Sequence, residues 1–142
     1  ENYNGTAWSE ETDFPSGSNS IYAIGSQTAT LGVSGGNGTT ATWNGSSWTA
    51  VPATLNDNRS YGAAGGANSS EGYIFGGGSS NKTELYNGTS WASQPNMANS
   101  RNNTGGSGIQ SNGLMAGSFY PGNTAVEEFT AATLEVKTLT TS

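Results

Sequence analysis

Trp43-Asn44-Gly45-Ser46-Ser47-Trp48 reads as an aromatic residue, a tight polar turn and a second aromatic residue. Nearly the same phrase stands at Tyr3-Asn4-Gly5-Thr6-Ala7-Trp8 and at Tyr86-Asn87-Gly88-Thr89-Ser90-Trp91, at offsets of 40 and 43 residues. A period in this range marks a repeat architecture, in which each recurrence is one supersecondary unit that cannot bury its apolar face alone. Asn-Gly is the favoured pair of a two-residue type I′ turn, because both residues tolerate positive φ. Each phrase is therefore expected to be a β-hairpin, with its two aromatic residues on one face as direct or diagonal cross-strand neighbours.

Working outward from the hairpins, residues 20–25 and 28–36 read as two short strands of small and β-branched residues that end at Gly35-Gly36. The second unit spells the same order more clearly, with strands expected at 59–66, 72–78, 82–86 and 90–92. In the third unit the phases fall at 101–109, 113–117, 125–129 and 133–136. There Phe129 and Leu134 follow Tyr86 and Trp91 by 43 residues, but the Asn-Gly pair is lost. One domain of 142 residues is thus divided into a hairpin at 1–12 and repeats at 19–48, 59–91 and 101–136.

Gly or Pro interrupts almost every window of ten residues, and no stretch sustains a helical period, so the fold class is all-β. Gly-rich first and second strands suit sheets that converge on one axis, where small residues let backbones approach closely. Trp8, Trp43, Trp48, Tyr86 and Trp91 then fill the wider space farther out. Trp48 and Trp91 share a repeat phase and are expected to be mostly buried between adjacent sheets.

The apolar fraction is 32%, well below the usual value of about 45 to 50%, so the core must be thin. Disorder fits poorly all the same, because the net charge is only -6 and fourteen aromatic residues recur at regular spacing. The chain has no Cys and no His, which removes disulfides, thiol nucleophiles, the commonest general base and the commonest metal ligands. No cofactor or metal is expected. Four basic side chains cannot neutralise many phosphates, so nucleic acid is not an expected partner. No apolar run reaches the length of a membrane-spanning helix, and no membrane insertion is expected. Glu1 stands in place of an initiator Met, which points to a processed chain or a piece of a longer one.

An apolar strand ending in a Gly pair, Tyr73-Ile74-Phe75-Gly76-Gly77, followed by Tyr86 and then by Trp91, resembles the kelch motif, and the resemblance extends over essentially the whole chain. It implies β-propeller blades of four antiparallel strands. The Asn-Gly-Thr/Ser-x-Trp wording is similar to kelch-like repeats of virion appendage proteins of bacterial viruses. The outer units depart from the motif: Val33-Ser34-Gly35-Gly36 follows a poorly apolar strand, and Ala116-Gly117-Ser118 lacks the doublet. Closed propellers usually have about 4 to 8 blades. Three blades and an N-terminal hairpin fall short of that, so closure is expected to need further repeats or other subunits.

Kelch-type enzymes resembling galactose oxidase need His ligands and a Tyr-Cys pair, which this chain lacks, and the Asp-box of sialidase-type propellers is also absent. Glycoside hydrolysis needs two facing carboxylates, whereas the adjacent pairs Glu10-Glu11 and Glu127-Glu128 point to opposite faces of a strand and read as solvated surface. Arg59 and Arg101 are the only arginines and share a phase just before a first strand, and Glu84 and Glu127 share another. Structural bonds from these arginines to Glu or to carbonyls, locking blade to blade, are expected. Gly76 and Gly77, the Gly pair that ends an apolar strand, are expected to be structural. Phe119 and Tyr120, before Pro121-Gly122, are candidate ligand contacts that could stack on sugar rings.

These readings point to a non-enzymatic structural or adhesive module of a virion surface or appendage, extracellular, acting by surface recognition. Its expected partners are other subunits of the assembly, including copies of itself, and a host cell-surface glycan. The alternative is a secreted or cell-surface carbohydrate-binding propeller of a bacterium.

Overall fold

The computed structural model describes residues 1–18, 20–119 and 124–130. Their strands, in chain order, are β1 (Asn2–Tyr3), β2 (Trp8–Ser9), β3 (Ile21–Ser26), β4 (Ala29–Ser34), β5 (Thr39–Trp43), β6 (Trp48–Thr54), β7 (Ala63–Asn68), β8 (Glu71–Phe75), β9 (Thr83–Tyr86), β10 (Trp91–Gln94), β11 (Gly105–Ile109), β12 (Asn112–Ala116) and β13 (Val126–Phe129). No helix occurs among them, and none is long and apolar enough to cross a membrane. The strands pair antiparallel into the hairpin β1-β2, sheet I (β3-β4-β5-β6), sheet II (β7-β8-β9-β10) and sheet III (β11-β12-β13). The first strands β3, β7 and β11 lie side by side, so the sheets fan out from one line like propeller blades. No closed ring forms among the described residues. The expected strand at 133–136 lies outside them.

The hairpin phrase builds the same turn three times, but not the type I′ turn that Asn-Gly suggests. Only the glycines take positive φ, at 97° in Gly5, 96° in Gly45 and 91° in Gly88. Each Asn keeps negative φ and uses its side chain instead: Asn4, Asn44 and Asn87 Oδ1 each accept the N–H groups two and three residues on, at 2.9 to 3.0 Å. This Asx-type capping competes successfully with the backbone pairing of a two-residue turn. Tyr3 is thereby paired with Trp8, Trp43 with Trp48 and Tyr86 with Trp91, with ring centroids 5.1, 5.4 and 5.1 Å apart.

Alternation along each strand gives every sheet two faces with different partners. The face of sheet I that carries Ile24, Leu31 and Val33 packs against Ile74, Tyr86 and Trp91 of sheet II. The other face of sheet II carries Ala63, Tyr73 and Phe75, which pack with Met115 of sheet III. Trp43 and Trp48 lie on the face of sheet I turned away from sheet II, where the N-terminal segment supplies Phe14 edge-on to Trp48 at 5.1 Å. Trp48 is therefore only half-buried, contrary to the sequence expectation, because it is covered by a single segment and not by a whole sheet. Trp91 faces sheet I and is 6% exposed.

Small residues matter where first strands meet. A Cβ on Gly106 would lie 2.7 Å from the Phe75 ring and 2.9 Å from Ala63 Cβ, whereas one on Gly105 would meet nothing within 4 Å. Gly106→Ala is expected to cost about 1 to 3 kcal/mol through overpacking, and Gly105→Ala to be neutral or slightly stabilising. Paired denaturation curves check this: equal effects at the two positions would contradict the packing of β11 on sheet II.

Candidate functional site

The segment that links each sheet to the next is fastened by a carboxylate, buried in Glu84 and half-buried in Glu127. Glu84, on β9, accepts from Asn56 N–H at 2.8 Å, from Asn56 Nδ2 at 2.8 Å and from Asp57 N–H at 3.3 Å, while Arg59 Nη2 donates to its Oε1 at 3.0 Å. Both side chains of the ion pair are 1% exposed. One repeat on, Arg101 Nη2 donates to Glu127 Oε1 at 2.8 Å and Ala98 N–H donates to Glu127 Oε2 at 2.7 Å. Glu127 is thus engaged with the linker and not with solvent as expected, because alternation on β13 turns it inward while Glu128 takes the other face. Arg59 Nη2 also donates to the Ile74 carbonyl at 3.4 Å, whereas Arg101 meets its carboxylate through Nη2 and turns Nη1 to the carbonyls of Gly117 and Ala125.

Burial pushes the Arg59 guanidinium below its ordinary value, and the Glu84 charge opposes that shift. Burial also raises the phenols of Tyr22, Tyr73 and Tyr86 above the usual 10.0, opposed in Tyr22 by hydrogen bonds and by the Arg59 charge, and in Tyr73 by a backbone hydrogen bond. A group whose pKa is raised by folding contributes stability that is fully present below its unfolded value and is lost as pH rises through its folded value. These tyrosines are therefore expected to leave stability unaffected up to about pH 9 and to lower it above about pH 10. Urea midpoints across the alkaline range check this: a midpoint that stays constant beyond pH 11 would contradict burial of the three phenols.

The remaining sequence candidates fall in separate places. Trp43 and Tyr86 are buried, and Trp8 is 67% exposed on the hairpin. Gly76 and Gly77 take φ of 63° and 85°, and a Cβ on Gly77 would lie 2.6 Å from Gly62 N and from Ser60 O. Phe119 is 71% exposed, and Tyr120 lies outside the described residues. A cleft of about 250 Å³ opens between sheets II and III, lined by Phe75, Thr83, Met97, Met115 and Phe129. At the junction of sheets I and II the corresponding place is filled by Trp91, whose Nε1 donates to Thr40 Oγ1 at 2.9 Å. Thr83 is the repeat counterpart of Thr40, so the cleft is inter-sheet packing space.

Sequence reasoning missed the end of the sheets where first strands begin and second strands finish. There Asn103 N–H donates to the Tyr61 carbonyl at 2.6 Å, and Phe119 N–H donates to the Asn102 carbonyl at 2.9 Å. The Asn102 amide exchanges bonds with Ser79, accepting from its N–H at 2.8 Å and donating to its Oγ at 3.1 Å. Among the described residues, Tyr61, Ser79 and Asn103 are the non-glycine residues with positive φ, at 66°, 60° and 52°, and such positions cost about 1 kcal/mol or more. Charge is cancelled around them, since Lys82 pairs with Asp57 at 2.7 Å and both arginines are buried in ion pairs. Among the described residues this surface offers exposed aromatic rings, amides and hydroxyls, a set suited to binding. Its one signal in the sequence is the equal phase of Tyr61 and Asn103, each two residues after an Arg.

The architecture defines an all-β array of antiparallel meander sheets arranged like propeller blades. The solved structure of YjhT is similar, with a TM-score of 0.64, 18% sequence identity, and coverage of 85% of this chain and 45% of that one. At this identity the likeness concerns the fold, and the present chain spans less than half the length of that protein. The sequence matches no protein-family model and no curated protein.

Proposed function

We propose that this chain is a kelch-like blade array that serves as a non-enzymatic structural and adhesive module on a virion surface or appendage. It works outside the cell, beside other subunits of the assembly and copies of itself, and it recognises a host-surface glycan. The reading is carried by the division of labour between carboxylates and loops. Glu84 and Glu127 are committed to linkers through Arg59, Arg101 and backbone N–H groups, whereas the loop end presents neutral polar groups and the rings of Tyr61 and Phe119, which are 53% and 71% exposed. Large amphipathic rings on a rigid scaffold are typical of recognition surfaces.

The same rings also suit a secreted or cell-surface carbohydrate-binding propeller of a bacterium. Immunogold labelling with an antibody to this chain separates the two. Label on the exterior of particles or fibres is the expected result. Label confined to a bacterial envelope would transfer the proposal to the second reading, and glycoside hydrolysis by the purified chain would overturn both.

A further inference from the structure

Tyr61 occupies a backbone position that a cheaper residue fills in the neighbouring repeat. Its φ of 66° lies in the left-handed region, which Gly, Asn and Asp enter more readily than an aromatic residue. The counterpart in the third repeat is Asn103 at φ 52°. The backbone around Tyr61 is tied on every side. Tyr61 N–H donates to Ser20 Oγ at 3.2 Å, Gly62 N–H to the Tyr22 hydroxyl at 2.9 Å and Gly78 N–H to the Ser60 carbonyl at 2.9 Å. None of these bonds involves the phenol, which is left on the surface. Asn at position 61 would satisfy the same turn with less strain, so the fold does not account for the ring.

We propose that Tyr61 is the stacking platform of a saccharide site at the loop end of the sheets, with a neutral pyranose as its ligand. The pinned turn fixes the backbone from which the ring projects before a ligand arrives, which lowers part of the ordering cost of binding. A pyranose presents a flat C–H face to an aromatic ring and hydroxyls to amides. Asn103, whose backbone N–H donates to the Tyr61 carbonyl, is exposed and brings such an amide to the same loop end. Phe119, also exposed, joins the same loop end through its N–H bond to the Asn102 carbonyl. Charge excludes anionic glycans, because the cations here are paired and the net charge is -6. This assignment rests on the adhesive reading and names the ligand class for it.

Saturation-transfer NMR with maltotriose, cellotriose and triacetylchitotriose tests the site on the whole chain and on two variants. At least one trisaccharide is expected to bind at millimolar concentration, with Tyr61→Phe within about twofold and Tyr61→Asn weakened by about tenfold or more. The Tm of Tyr61→Asn is expected to be equal to or above that of the parent chain, since strain is relieved. Undiminished binding by Tyr61→Asn, or a lower Tm in that variant, would overturn the assignment. So would the failure of all three sugars at about 10 mM, a Kd range in which single-ring stacking is detectable. If the chain is found on particle exteriors while no sugar binds, the site fails and the adhesive reading stands; sugar binding without particle association gives the reverse.

Discussion

Truncating Arg59 to Ala is expected to cost about 3 to 5 kcal/mol of folding stability, because it leaves the Glu84 carboxylate buried without its counter-charge. The pair is 3.0 Å apart with both side chains 1% exposed, so water cannot replace the guanidinium. Three N–H donors from Asn56 and Asp57 would remain on the carboxylate, but they carry no net charge. The double change Arg59→Met with Glu84→Gln is expected to recover much of the loss, since neutral groups of similar size need no counter-ion. The second pair is graded by exposure: Glu127 is 23% exposed, so Glu127→Gln should cost less than Glu84→Gln. Urea denaturation of the four variants checks this. A loss below about 1 kcal/mol for Arg59→Ala would mean that the linker is held by its backbone bonds alone.

The second large effect is expected at Trp91. Trp91→Ala removes an indole that is 6% exposed, lies tilted against Tyr86 with ring centroids 5.1 Å apart and bonds Thr40 across 51 residues of chain. Cavity formation and lost transfer energy together give about 3 to 5 kcal/mol, and Thr40 Oγ1 is left buried without its donor. Trp8→Ala, at the same repeat phase but 67% exposed, is expected to cost below about 1 kcal/mol. Equal losses at the two positions would contradict the placement of sheet II on sheet I.

The contrast between these two tryptophans marks where the sequence was legible. The period and the placing of the two aromatic residues on one face of a hairpin were readable from the Asn-Gly phrase, because they depend on residues within one hairpin, although direct and diagonal pairing were both open. The Arg and Glu phases were readable too, because 42- and 43-residue offsets place them in corresponding positions of successive sheets. How deeply Trp8 and Trp48 are covered depends on what lies over each outer face, and no local pattern encodes that. The type I′ expectation failed for another reason: the Asn Oδ1 can take two N–H groups at once, and propensity alone does not weigh that against positive φ. Tyr61 was missed because a left-handed Tyr contradicts residue preference and is imposed by the bonds from Ser20, Tyr22 and Asn103.

Under the adhesive reading proposed above, this array of sheets presents its loop end outward on a particle. Cryo-electron microscopy of the native particle tests it most directly. The predicted image has sheets I to III side by side at the particle exterior, with Tyr61 and Phe119 facing solvent. A map with that end packed against the particle body, and the Trp8 hairpin outermost, would contradict the claim.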